Sequence, residues 1–304
     1  MQKRSTLSVP LLIAVGILLA LTVCGSLWDL TIAHAVYVGE SPAENPFGIM
    51  FAFVGIIPTF VGWSFLGASI LYLTKKQVAD TQKRRWLSAF AILLFLLSFF
   101  YFCNTLYFSN ANVIRVPVVV AYSVGLAVIG TAAYLGYKLS AKSGDGALLQ
   151  KALFLAAVSL VTLLIISCTK EIMCRPRFRF VLSEGNPDYF KSWWQSGRAI
   201  KNSLGLGMES DEFASFPSGH SAYSMFAIFL FPALGDYVRR LKPYKPLLFA
   251  LGFLWWAVTA LSRLTMGAHY LTDVTLAGLV TIFAYAVVSA LRRSHAKRRG
   301  RSDL

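Results

Sequence analysis

Phe47-Gly-Ile-Met-Phe-Ala-Phe-Val-Gly-Ile-Ile-Pro-Thr-Phe-Val-Gly-Trp-Ser-Phe-Leu-Gly-Ala-Ser-Ile-Leu-Tyr-Leu73 runs for 27 residues without a charged side chain. As a helix rising 1.5 Å per residue it would reach about 40 Å, enough to cross the roughly 30 Å hydrocarbon core of a bilayer. Further charge-free runs lie on both sides of it. Ser8–Trp28 precedes it, and Trp86–Leu106, Val116–Tyr137, Ala152–Thr169, Phe216–Leu234, Pro246–Ser262 and Val274–Leu291 follow, making eight candidate spans. The last two are short and are expected to borrow a turn from their flanks. Lipid offers the backbone no hydrogen bonds, so an open chain must cross it as helices. The expected fold is an all-α, polytopic transmembrane bundle of about eight spans.

Composition agrees. Hydrophobic residues make up 56% of the 304 and charged residues 14%, where a globular chain carries roughly a quarter charged. Mean hydropathy is +0.60. Disorder, collagen and a small disulfide scaffold are excluded. The four cysteines (Cys24, Cys103, Cys168 and Cys174) form no Cys-x-x-Cys pair, and Cys168 and Cys174 read as packing residues. Lys3 and Arg4 ahead of Ser8–Trp28 resemble a leader, but no small-x-small cleavage site follows, so this span reads as an uncleaved anchor.

The net charge of +15 is mostly a statement about topology. Taking the eight spans in turn, 20 of the 29 Lys and Arg residues fall on one side. They are carried by the N-terminus, the links around Lys75–Arg85, Lys138–Lys151 and Arg239–Lys245, and the tail from Arg292 to Arg301. Basic loops stay cytoplasmic, so both termini are expected inside. Nucleic acid is excluded as a partner; contact with anionic lipid is not.

On the opposite face, polar residues gather at the ends of the last four spans, where membrane proteins place function. Lys170-Glu-Ile-Met-Cys-Arg-Pro-Arg177 ends the fifth, Phe216-Pro-Ser-Gly-His-Ser221 opens the sixth, and Ser262-Arg263 ends the seventh. His269 and Asp273 flank the start of the eighth. At i, i+4 these two share a helical face, so the carboxylate can fix the imidazole tautomer and leave the other nitrogen as a nucleophile. His220 can protonate a leaving oxygen near neutral pH. Ser218-Gly219-His220 opens a helix whose free N–H groups suit an anion. Lys170, Arg177 and Arg263 supply cations of the kind a transferring phosphoryl group requires. His34 and His295 read as interfacial, Tyr189, Phe190, Trp193 and Trp194 as an interfacial belt, and Asp211 and Glu212 as loop decoration.

With these residues in hand, the chain resembles the type 2 phosphatidic acid phosphatase (PAP2) superfamily of integral membrane lipid phosphatases. Pro217-Ser218-Gly219-His220 and Ser262-Arg263…His269…Asp273 match two of its three signatures intact. Lys170 and Arg177 match the first in separation, although Phe178 stands where the family has Pro. The resemblance implies that His269 attacks phosphorus and Asp273 orients it, with His220 as the general acid. Lys170, Arg177, Ser218, Gly219 and Arg263 would hold the phosphoryl oxygens. It implies no cofactor and no metal, and no carboxylate cluster suits Mg²⁺. Arg175 is expected on a different side, near the interface or the long loop.

Family members have six spans, so eight imply two additional N-terminal helices. The chain is divided as 1–110, N-terminal helices, and 111–304, the catalytic region, with an extracytoplasmic loop at about 178–216. The expected activity is metal-independent hydrolysis of a lipid phosphate or diphosphate at the outer membrane face. A soluble haloperoxidase shares the constellation but not the spans. A non-catalytic transport or lipid-binding relative would lack one of His220, His269 and Asp273.

Overall fold

The structure is a computed structural model that describes residues 8–41, 43–108, 117–143, 145–205 and 211–302. Lys3, Arg4 and the 110/111 boundary lie outside the described residues. Every regular element among the described residues is helical. The order is α1 (Ser8–Val36), α2 (Pro46–Val54), α3 (Ile57–Gln77), α4 (Thr81–Phe108), α5 (Val118–Lys142), α6 (Leu148–Met173), α7 (Phe178–Ser183), α8 (Arg198–Ser203), α9 (Gly219–Met225), α10 (Ala227–Tyr237), α11 (Lys245–Thr265) and α12 (Leu271–Ser302). Among the described residues, seven helical segments are long and apolar enough to cross a membrane.

The sixth expected span, Phe216–Leu234, is broken rather than missing. Its helix is interrupted at Phe226, whose N–H reaches back to the Tyr223 carbonyl in a tightened turn. Gly252 of α11 lies against this break; a Cβ there would stand 2.7 Å from the Ala227 carbonyl. A second run is also interrupted: α2 and α3, expected as one helix, separate at Gly55–Ile56. The Gly55 carbonyl accepts from the Trp255 indole at 2.9 Å. The first span extends beyond Trp28 to Val36, with Trp28 itself non-helical (φ −135°, ψ 23°). The long loop contains α7 and α8.

Small residues and hydroxyls knit the helices where apolar contact alone has little driving force in lipid. Gly136 of α5 packs so closely on α3 that a Cβ would stand 2.2 Å from the Phe65 carbonyl. The buried Trp63 indole donates to Ser159 on α6 at 2.8 Å, and Ser98 on α4 donates to the Phe60 carbonyl at 2.6 Å.

Three helices connect two charged ends. Lys151 and Lys170 on α6 are 19 residues apart, Lys245 and Arg263 on α11 are 18, and Asp273 and Arg292 on α12 are 19. Each interval spans about 27–29 Å of helix, close to the hydrocarbon thickness. At one end Asp236 binds Lys151 (3.1 Å) and Lys245 (2.8 Å), and Arg292 donates to Gln150 at 2.9 Å. The other end holds the candidate site.

Candidate active site

The segment Ala214–Ser218, just ahead of α9, ties the other parts of the site together. The Ala214 carbonyl accepts from the Lys170 ammonium at 2.5 Å. The Ser215 N–H donates to the Arg175 carbonyl at 3.1 Å, and the Ser218 N–H to the Asp273 carbonyl at 3.1 Å. Lys170 at the end of α6, the start of α9 and the start of α12 are thereby held at one depth.

His269 lies in the turn before α12, not on the helix. Its Nδ1–H donates to the Ser215 carbonyl at 2.6 Å, and a carbonyl can only accept. The Nε2 lone pair is therefore free. Asp273 Oδ2 lies 3.8 Å from Nδ1, too far for a hydrogen bond. The orienting acceptor expected at Asp273 is thus the Ser215 backbone, because α12 begins only at Leu271 and the i, i+4 geometry of one helix does not apply. Asp273 accepts instead from the Ser215 hydroxyl (2.5 Å), the Tyr270 N–H (2.8 Å) and Arg175 (2.5 Å). It supports His269 as a nearby charge. Ser215 was not legible as a site residue, since an acceptor supplied by the backbone leaves no mark on side-chain identity.

Burial holds the His269 imidazole down to about 3, opposed by Asp273 and reinforced by Lys170 and Arg177. The ring is neutral at physiological pH, as a nitrogen nucleophile must be. An unfolded histidine titrates near 6.5, so between about 6.5 and about 3 the unfolded chain binds the extra proton. Stability from this group is full above the upper value and is lost as pH falls toward the lower one. In detergent the thermal midpoint should drop across that window, and the drop should be smaller in His269→Gln. Equal drops in the two proteins would refute the assignment.

His220, in the first turn of α9, donates Nε2–H to the Ala52 carbonyl of α2 at 2.9 Å. It lies within electrostatic reach of Arg263, His269, Lys170 and Arg177. Ser218 caps α9, its hydroxyl accepting from the Ser221 N–H at 3.3 Å. Gly219 leaves room beside it: a Cβ there would meet the Lys170 side chain at 3.8 Å. Arg263 is buried at the end of α11 and donates to the Gly48 carbonyl of α2 at 2.7 Å. Two of the expected phosphate-handling groups therefore face carbonyls of α2.

Arg177 donates to Asp211 at 2.6 Å, while its buried Nε has no partner among the described residues. Asp211 and Glu212 are more than decoration, because Glu212 pairs with Arg179 and its carbonyl accepts from the Arg177 N–H at 2.8 Å. Together they fix the cationic strand leaving α6. Arg175 is the clearest departure from expectation. It is fully buried, not interfacial, and bridges Asp273 and Asp29 of α1. The left-handed turn at Cys174 (φ 44°), which ends α6, turns the chain inward there. Phe190 and Tyr270 cover the guanidinium at 5.6 and 4.2 Å, and the Trp193 indole donates to Ser26 on α1 at 3.0 Å. The aromatic loop residues Phe190 and Trp193 thus pack over the site rather than serving only as a belt.

No curated protein and no solved structure matches the chain. Residues 151–297 match the family model described as the PAP2 superfamily. That stretch contains Lys170, Arg177, Ser218, Gly219, His220, Arg263, His269 and Asp273, and it supports phosphatase-type action on a phosphoric ester. Residues 151–297, whose helices carry this site, belong to the PAP2 superfamily.

Proposed function

We propose that the protein is a metal-independent phosphatase that hydrolyses a lipid phosphate or diphosphate through a phosphohistidine. The observation that carries this is the opposite state of the two Nε2 atoms. His269 is bound through Nδ1–H and offers a bare Nε2; His220 carries its proton on Nε2. In the first step His269 Nε2 bonds to phosphorus, the ester P–O bond breaks, and the leaving alkoxide takes a proton from the His220 imidazolium, which becomes the neutral ring. In the second step His220, now the base, draws a proton from water, whose oxygen displaces His269 from phosphorus. Lys170, Arg177, Arg263 and the turn at Ser218-Gly219 receive the phosphoryl oxygens. Charge stabilisation of this kind is the main protein contribution to phosphoryl transfer. The two buried carboxylates among the described residues, Asp29 and Asp273, are already taken up by Arg175, Thr272, Ser215 and Tyr270, which supports a site run by cations rather than by Mg²⁺.

The substrate is of the phosphatidate, phosphatidylglycerol phosphate or undecaprenyl diphosphate type, each with a phosphate at the interface and a long apolar tail. The basic residues at the far ends of α6, α11 and α12 support an extracytoplasmic site with both termini cytoplasmic. Purified protein in detergent, given these three lipids with EDTA present, should release phosphate from at least one. Orthovanadate should inhibit, since its trigonal-bipyramidal adduct on His269 mimics the transition state. No release from any of the three would overturn the proposal. Loss of activity in EDTA that Mg²⁺ restores would overturn metal independence.

A further inference from the structure

Asp29 belongs to α1, outside the region that defines the family, yet its carboxylate lies within two contacts of the candidate nucleophile's partner. One oxygen accepts from Arg175 at 2.9 Å. The other accepts from the Thr272 backbone N–H at 3.0 Å, in the first turn of α12. The Thr272 hydroxyl also donates to Asp29 and in turn accepts from Arg175 at 2.9 Å. Arg175 Nη1 then reaches Asp273 Oδ1 at 2.5 Å. Asp29, Arg175 and Thr272 form a closed, buried ring of hydrogen bonds joining α1, the end of α6 and α12, and Asp273 is attached to it through Arg175.

The surrounding chain is shaped for this carboxylate. Trp28 breaks the helical path of α1 one residue before it. Gly25, one turn earlier, faces Thr272, and a Cβ there would lie 3.0 Å from both Asp29 Oδ1 and the Thr272 N–H. A side chain at 25 would intrude on the Asp29–Thr272 hydrogen bond. Membrane helices rarely bury an ionisable residue without function, and a buried ion pair is a poor way to add stability for its own sake.

We propose that Asp29 is a positioning residue for the phosphatase chemistry: it divides Arg175 between two carboxylates and fixes the first turn of α12, and so sets the place and the effective charge of Asp273 beside His269. The proposal rests on the function argued above. With Asp29 present, one guanidinium is shared, so Asp273 keeps part of its negative charge for the imidazole as phosphorus is transferred. With Asp29 neutral, Arg175 belongs to Asp273 alone and quenches it. The additional N-terminal helix thereby completes the catalytic geometry from outside the family region.

The test compares purified full-length wild type with Asp29→Asn, which keeps the shape and removes the charge. Small displacements of reacting groups cost about 10²-fold. Asp29→Asn should lower kcat about ten- to a hundredfold with KM unchanged. Thr22→Val, which removes a different α1–α12 bond (Thr22 to Thr275, 2.9 Å), should leave kcat near wild type. Arg175→Lys keeps one charge but cannot fork to both carboxylates. If Asp29 acts through Arg175, the Asp29→Asn/Arg175→Lys double variant should be no slower than the slower single variant. Wild-type kcat in Asp29→Asn, or two losses that multiply, would overturn the proposal. If Asp29→Asn does not fold, Gly25→Ala takes its place and should lower kcat with KM unchanged; wild-type kcat there is equally fatal. Inactivity of the wild type toward every lipid would instead refute the phosphatase function itself.

Discussion

His269→Ala should reduce phosphate release to the level of the detergent blank, a fall of about 10⁴–10⁶-fold, the range seen when a covalent nucleophile is removed. The fold should survive, because the ring makes one hydrogen bond, to the Ser215 carbonyl. The same variant carries the test of the intermediate. Wild type mixed briefly with a ³²P-labelled lipid phosphate and quenched in alkali should retain acid-labile label on the protein, and His269→Ala should retain none. Label that persists in the variant, or release above a hundredth of wild type, would mean that phosphorus is attacked by another group.

The second large effect concerns the cations, and here Arg175 takes a place that spacing alone denied it. Lys170→Ala and Arg177→Ala should each lower kcat by about 10²–10³, the loss typical of one preorganised donor to developing charge, with the thermal midpoint little changed. Arg175→Gln should behave differently. It leaves Asp29 and Asp273 buried against each other without their shared cation, and removing one partner of a buried pair costs about 3–5 kcal/mol. A drop in thermal midpoint together with loss of activity is therefore expected for Arg175→Gln, where Lys170→Ala loses activity alone. An Arg175→Gln protein as stable and as active as wild type would contradict the ring of contacts described for it.

The parts of this protein that spacing made legible are those in which side-chain identity and physical demand coincide. A run such as Phe47–Leu73 has one stable form in lipid, and Lys170, His220, Arg263, His269 and Asp273 stand at helix ends that the spans themselves align. The parts that were not legible depend on the backbone or on distance along the chain. Asp29 ends an apolar run, where a single carboxylate looks like a span boundary; its partner Arg175 is 146 residues away. Arg175 points inward because Cys174 adopts a left-handed conformation, and no glycine marks that turn. Gly197 does mark it from the other side, since a Cβ there would sit 2.2 Å from the Cys174 carbonyl. The Ser215 carbonyl and the carbonyls of α2 have no signature at all, because every residue but its side chain looks alike.

Those α2 carbonyls bear on which molecules the site admits. His220 and Arg263 are already satisfied by Ala52 and Gly48, so an incoming headgroup competes with acceptors in place rather than filling unmet demand. Hydrogen bonds to an ionised acceptor are roughly twice as strong as neutral ones. A phosphate dianion gains by the exchange, whereas a hydroxyl, an amide or a neutral ester gains nothing by displacing one carbonyl with another. On the function proposed above, uncharged lipids would thus be turned away by equivalence.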